Sequence, residues 1–150
     1  MIENAEETVL IDTNILVYSL DRKNQLKHRI AEELLNKCWK RKTKYVISTQ
    51  NLAEFFVVMT KKASPPIPDE DVEGIINDIL SFSNWKVLSY NPKTLSRAMS
   101  LHKKTKKHFW DCLIAATMLE NGIFQILTEN VSDFKEIEGI TAVNPFLEQK

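Results

Sequence analysis

Val9-Leu10-Ile11-Asp12-Thr13-Asn14-Ile15-Leu16-Val17-Tyr18 decides the fold. Three consecutive apolar residues read as a strand covered on both faces, the mark of a parallel sheet wrapped by helices. A carboxylate follows at once, and an apolar helical pattern resumes after it. The same grammar recurs outward along the chain: Tyr45-Val46-Ile47-Ser48, Trp85-Lys86-Val87-Leu88-Ser89, Phe124-Gln125-Ile126-Leu127-Thr128 and Thr141-Ala142-Val143 are each short enough for a strand. Between them, amphipathic patterns predict helices at about residues 14–20, 25–41, 50–62, 69–82, 92–103 and 109–121. Alternating strands and helices imply an α/β fold with right-handed crossovers and one parallel sheet.

Local signals agree with these boundaries. Ser48 or Thr49 can cap the helix that enters Asn51-Leu52-Ala53-Glu54, and Pro68 precedes Asp69-Glu70-Asp71, anions suited to the positive end of a helix. Ala63-Ser64-Pro65-Pro66-Ile67-Pro68 reads as a surface loop. With 150 residues the chain is expected to form one domain, residues 1–150, with residues 1–7 disordered. Twenty basic residues balance twenty acidic ones, so no global field draws the chain to nucleic acid or membrane. The two cysteines, Cys38 and Cys112, stand in helical patterns without metal-ligand spacing, which argues against disulfides or zinc and for a reducing cytoplasm. No secretory signal is expected at the polar start, and no stretch reaches the roughly 20 apolar residues of a membrane span.

In parallel α/β sheets, ligands bind beyond the carboxyl ends of the strands. Asp12 stands there, and alone it could be a helix cap. Asp111 lies in the first turn of the otherwise apolar Phe109-Trp110-Asp111-Cys112-Leu113-Ile114-Ala115-Ala116, and Glu54 interrupts Leu52-Ala53 and Phe55-Phe56-Val57. Each alone could be the acid of a buried salt bridge. After a further strand, Thr128-Glu129-Asn130-Val131-Ser132-Asp133 offers hydroxyl, amide and carboxylate oxygens. Carboxylates that converge repel one another unless a cation neutralises them, and oxygen-only ligands suit Mg²⁺ or Mn²⁺. Such an ion keeps room for a phosphate oxygen and a water, as phosphodiester hydrolysis requires.

These motifs resemble those of the PIN-domain ribonucleases, in particular the VapC-type toxins of toxin–antitoxin pairs. Ile11-Asp12-Thr13-Asn14 resembles the opening motif, Ser48 to Glu54 the second, Trp110 to Ala116 the third, and Leu127-Thr128-Glu129-Asn130 with Asp133-Phe134 the fourth. The order holds from about Thr8 to Val143. The resemblance implies a three-layer α/β/α sandwich with a central parallel sheet of about five strands. It also implies a divalent-metal-dependent endoribonuclease, with Asp12, Glu54, Asp111 and Asp133 as catalytic and metal-binding residues and Thr13, Asn14, Thr128 and Asn130 as supports. Where many relatives carry an acid, this chain has Asn130, so either Asp133 supplies the fourth carboxylate or the second metal position is weak. A catalytically inactive module that binds RNA or protein, and a housekeeping nuclease without an antitoxin, are the alternatives.

Lys103, Lys104, Lys106 and Lys107 precede the Asp111 helix and are expected to contact the RNA backbone, although a lysine run can equally be a solvated loop. Trp110 is read as packing in the core or at a subunit contact, with base stacking as the other possibility. Trp39, Phe55, Phe56 and Met59 exceed the needs of one core, which predicts a homodimer face or a groove for an antitoxin helix.

Overall fold

A computed structural model describes residues 8–147; the expectation for residues 1–7 falls outside them. Five strands, β1 (Val9–Ile11), β2 (Tyr45–Ser48), β3 (Trp85–Leu88), β4 (Gln125–Leu127) and β5 (Thr141–Val143), form one parallel sheet in the order β3-β2-β1-β4-β5. The helices are α1 (Thr13–Leu20), α2 (Gln25–Trp39), α3 (Thr49–Val57), α4 (Asp69–Ser81), α5 (Pro92–Thr105) and α6 (Phe109–Glu120). All five expected strands and all six expected helices are present. Side-chain alternation along the strands divides the core. Ile11 and Ile47 face one layer, which they share with Ile15, Leu35, Phe55 and Val72 from α1 to α4. Leu10 and Val46 face the other, against Ile114, Ala115 and Met118 of α6. α5 packs outside α6 through Ala98 against Cys112, Leu113 and Ala116. The result is the expected three-layer α/β/α sandwich.

The caps follow the sequence signals. Ser48 caps α3 in a reciprocal box with Asn51, and Asp69, Glu70 and Asp71 occupy the first turn of α4. Both cysteines are free and buried. Two expectations need correction. The single helix expected over residues 50–62 ends as an α-helix at Val57 and continues as one wide π turn, Val58–Lys62, a winding that apolar periodicity does not reveal. Trp39, Phe55, Phe56 and Met59 belong to the core on the α1–α4 side, with Phe55 and Met59 almost wholly enclosed. Trp39 is occupied by Phe82 and Trp85, its ring centroids 5.0 and 6.1 Å from theirs. A homodimer or groove loses the support those four residues were expected to give. Among the described residues no helix is long and apolar enough to cross a membrane.

Candidate active site

β1 lies at the centre of the sheet, and the chain leaves it toward β2 and β3 on one side and returns to β4 and β5 on the other. The crevice at this reversal, beyond the strand ends, is where α/β sheets bind ligands. Asp12 sits at its base. The Asp12 N–H donates to Leu127 O at 3.0 Å, continuing the sheet for one residue. The side chain is buried and held from both sides. Oδ1 accepts from Thr13 N at 2.8 Å and Asn51 Nδ2 at 3.2 Å, and Oδ2 accepts from the Thr128 hydroxyl at 2.7 Å. The ends of β1, β2 and β4 are thereby joined through one carboxylate.

The neighbours of Asp12 are themselves fixed. Thr13 Oγ1 donates to Glu54 Oε2 at 3.0 Å, bringing α3 to α1, and Gln50 Nε2 donates to Glu54 Oε1 at 3.3 Å. Asn14 Nδ2 donates to Thr128 Oγ1 at 3.2 Å while its Oδ1 accepts from the Glu129 N–H, also at 3.2 Å. The Asn130 N–H donates to Thr128 Oγ1 at 3.0 Å. Thr13, Asn14, Thr128 and Asn130 thus all lie in one network around Asp12 or Glu54.

Asp12, Glu54, Asp111 and Asp133 line a single cavity of about 400 Å³, together with Asp21 and Asn130. Among the described residues no lysine, arginine or histidine lines it. Among the described residues none of the four expected acids forms an ion pair with a base, so the salt-bridge alternative is not what the structure shows. Charge accumulation has its electrostatic signature. Burial raises the pKa of Asp12, aided by the charges of Glu54 and Asp133 and opposed by the Thr128 and Thr13 hydrogen bonds. Asp111 is pushed up to about 6 by burial and by Asp133 and Asp12, with His108 pulling the other way. The carboxylates are spread round the wall: among the described residues no three His, Cys, Asp or Glu side chains form a ready-made metal cluster. An all-oxygen donor set with uncompensated negative charge is nevertheless the chemistry that Mg²⁺ or Mn²⁺ requires.

Other expected residues sit at the margin. None of Lys103, Lys104, Lys106 and Lys107 lines the cavity. Lys107 Nζ donates to Ser132 O at 2.8 Å, tying the α5–α6 connection to the short turn Val131–Asp133 that presents Asp133. Lys104 lies 3.9 Å from Glu138 at the surface. Trp110 is 61% exposed, which removes the core from its readings and keeps the subunit contact and base stacking.

Sequence reasoning passed over Asn51 and Asp21. Asn51 is fully buried. Its Oδ1 accepts from the Ser48 hydroxyl at 2.6 Å, and its Nδ2 reaches both Asp12 Oδ1 and Thr13 Oγ1 at 3.2 Å. The available signal was its place three residues after the cap Ser48, where an amide can close a capping box. Asn51→Ala leaves several of these buried groups without partners. It is expected to cost about 1–3 kcal/mol, read as a lower urea midpoint at unchanged m-value.

Comparison with known proteins agrees with this architecture. The fold is similar to that of a chain in a toxin–antitoxin complex from Klebsiella pneumoniae (TM-score 0.63, 23% identity, 92% of this chain and 98% of that one). It is similar to VapC20 of Mycobacterium tuberculosis, described as a Sarcin-Ricin loop cleaving toxin (TM-score 0.64, 15% identity, 87% and 98%). A chain of DNA-bound VapBC from Salmonella typhimurium gives a TM-score of 0.63 at 20% identity over 93% and 99%. No curated protein sequence matches the chain. The family model for the PIN domain matches residues 9–140, and with that span covering nearly all of the described fold, the chain belongs to the PIN-domain family.

Proposed function

We propose that this chain is an endoribonuclease dependent on Mg²⁺ or Mn²⁺, acting in the cytoplasm as the toxin of a toxin–antitoxin pair. The observation that carries the reading is the convergence of Asp12, Glu54, Asp111 and Asp133 on one cavity that, among the described residues, no base lines. Asp12, Glu54, Asp111 and Asp133 would hold the ion. When bound, it supplies Lewis-acid polarisation of a phosphate oxygen and lowers the pKa of water at the site.

The remaining work belongs to the chain. Asp12 is fixed by Thr13, Asn51 and Thr128, so its charge is placed before substrate arrives and little reorganisation is needed. Thr13 and Gln50 orient Glu54 across the cavity. Asp111 is presented to the cavity from the first turn of α6. Lys103, Lys104, Lys106 and Lys107, beside the Asp111 helix, are proposed to take the flanking phosphates as point charges.

The toxin role is supported by the likeness to chains of toxin–antitoxin complexes and by a second cavity of about 640 Å³. It is bordered by Val17, Leu20, Val58, Met59, Pro65 and Ile67 together with the charged Asp21, Arg22, Lys23 and Lys62, a partly apolar and partly basic seat for an antitoxin segment. Val17, Asp21 and Val58 also line the carboxylate cavity, so an occupant of the seat would lie against the site it restrains. The test is cleavage of single-stranded RNA by the purified chain in Mn²⁺. Activity is expected to vanish on adding EDTA and to return with excess Mn²⁺. RNA binding without cleavage in Mn²⁺ would favour a non-catalytic module.

A further inference from the structure

We infer that the indole of Trp110 is a stacking platform for one unpaired base of the bound RNA, an assignment that rests on the nuclease reading above. Trp110 stands in the first turn of α6, a helix whose residues Cys112–Met118 are all buried, yet it is itself 61% exposed. The fold gains little from an indole so placed. Its backbone and one side of its ring are nonetheless held. The Phe109 ring meets it edge-on, with centroids 5.6 Å apart at 67°, and Gln50 Nε2 donates to Trp110 O at 3.0 Å.

The indole walls a recess of about 380 Å³ with Ala53, Val57 and Lys62. Glu54 and Val58 line this recess and the carboxylate cavity alike, so the two adjoin. A phosphate drawn to the carboxylates carries its nucleoside on a covalent tether, and the base must settle beside the cavity. The recess offers it an aromatic face, aliphatic walls and one cation, the elements by which single strands are held without sequence-specific pairing. Gln50, whose Nε2 donates to Trp110 O and Glu54, also lines the recess, and its Oε1 is a buried acceptor without a partner.

The experiment uses the full chain carrying Asp12→Asn, which removes cleavage from the measurement, with a fluorescein-labelled single-stranded oligoribonucleotide of about 12 nucleotides in Mn²⁺. Trp110→Ala and Trp110→Leu are expected to weaken binding about tenfold or more, whereas Trp110→Phe retains most of it, because stacking needs a π face and not merely apolar volume. Removing one base as an abasic linkage should weaken binding to the Trp110 chain at a single position and leave Trp110→Ala unaffected. Equal affinity of the Ala variant, or a Leu variant as good as Trp, overturns the assignment. So does dissociation of a dimer by Trp110→Ala in sedimentation, since the indole would then serve a second copy. If the parent chain neither binds nor cuts RNA, the nuclease reading falls and this one with it; if it does both and Trp110→Ala matches it, only the stacking platform is lost.

Discussion

Asp12→Asn is expected to lower Mn²⁺-dependent RNA cleavage by at least about a hundredfold while leaving the chain folded. Loss of a charge that helps fix a divalent ion forfeits several kcal/mol of transition-state stabilisation, which corresponds to about 10²–10³ in rate. The fold should survive because asparagine keeps part of the same hydrogen-bond frame: its Oδ1 can still accept from Thr13 N and Asn51 Nδ2. Thr128 Oγ1 already accepts from Asn14 Nδ2 and the Asn130 N–H, so the Thr128 link is lost, a cost of about 1–3 kcal/mol set against removal of a charge that burial disfavours. Asp111→Asn should behave likewise in cleavage. Single-turnover cleavage, with circular dichroism on the same samples, checks both; a folded Asp12→Asn chain that cuts RNA at the parent rate would refute the site.

The second large effect is on metal-free stability. Asp111 has a folded pKa of about 6 against an ordinary 3.8, so between those values the folded chain holds a proton that the unfolded chain has released. Stability of the metal-free protein therefore falls as pH rises from about 4 toward 6 and levels off above it. Asp12 acts in the same direction. Glu129 acts oppositely: burial disfavours its charge, but hydrogen bonds from Lys27 and Tyr18 hold its pKa below 4.5, so its contribution is lost only at lower pH. Thermal unfolding in EDTA should thus give a higher Tm at pH 5 than at pH 7.5. Saturating Mn²⁺ should shrink or reverse the difference, because the ion binds the ionised carboxylates and stabilises the folded chain by mass action. In Asp111→Asn the metal-free slope should flatten and Tm at pH 7.5 should rise. A metal-free Tm that climbs steadily from pH 5 to pH 7.5 contradicts the electrostatic account.

The elements were legible because each strand is a short apolar run and the crossover helices other than α6 keep an apolar stripe. Val9–Ile11 and Tyr45–Ser48 could hardly be anything else once helices flank them. The acids stood out through conflict with their surroundings: Glu54 among Leu52 and Phe55, Asp111 before Cys112 and Leu113. Trp110 was misread because α6 is buried nearly all round, and without a polar stripe the sequence does not say which first-turn residue escapes the core. Asn51 was passed over because a buried amide carries no charge and fits an ordinary helix start. Asp21 belongs to the C-terminal end of α1, where only the three-dimensional path returns it to the cavity. Trp39 and Phe56 looked surplus because the width of the layer that absorbs them depends on α4 and β3, elements distant in the chain.

The π turn at Val58–Lys62 holds one residue more per hydrogen-bonded ring than regular α-helical winding. Deleting a single position there would turn the segment back into ordinary α-helix and re-seat Val58, Met59 and Lys62 in the wall of the second cavity, whereas Asp12, Asp111 and Asp133 stand on other elements and keep their places. On the proposed function, such a shortened chain would still cut RNA while gripping an antitoxin segment less well.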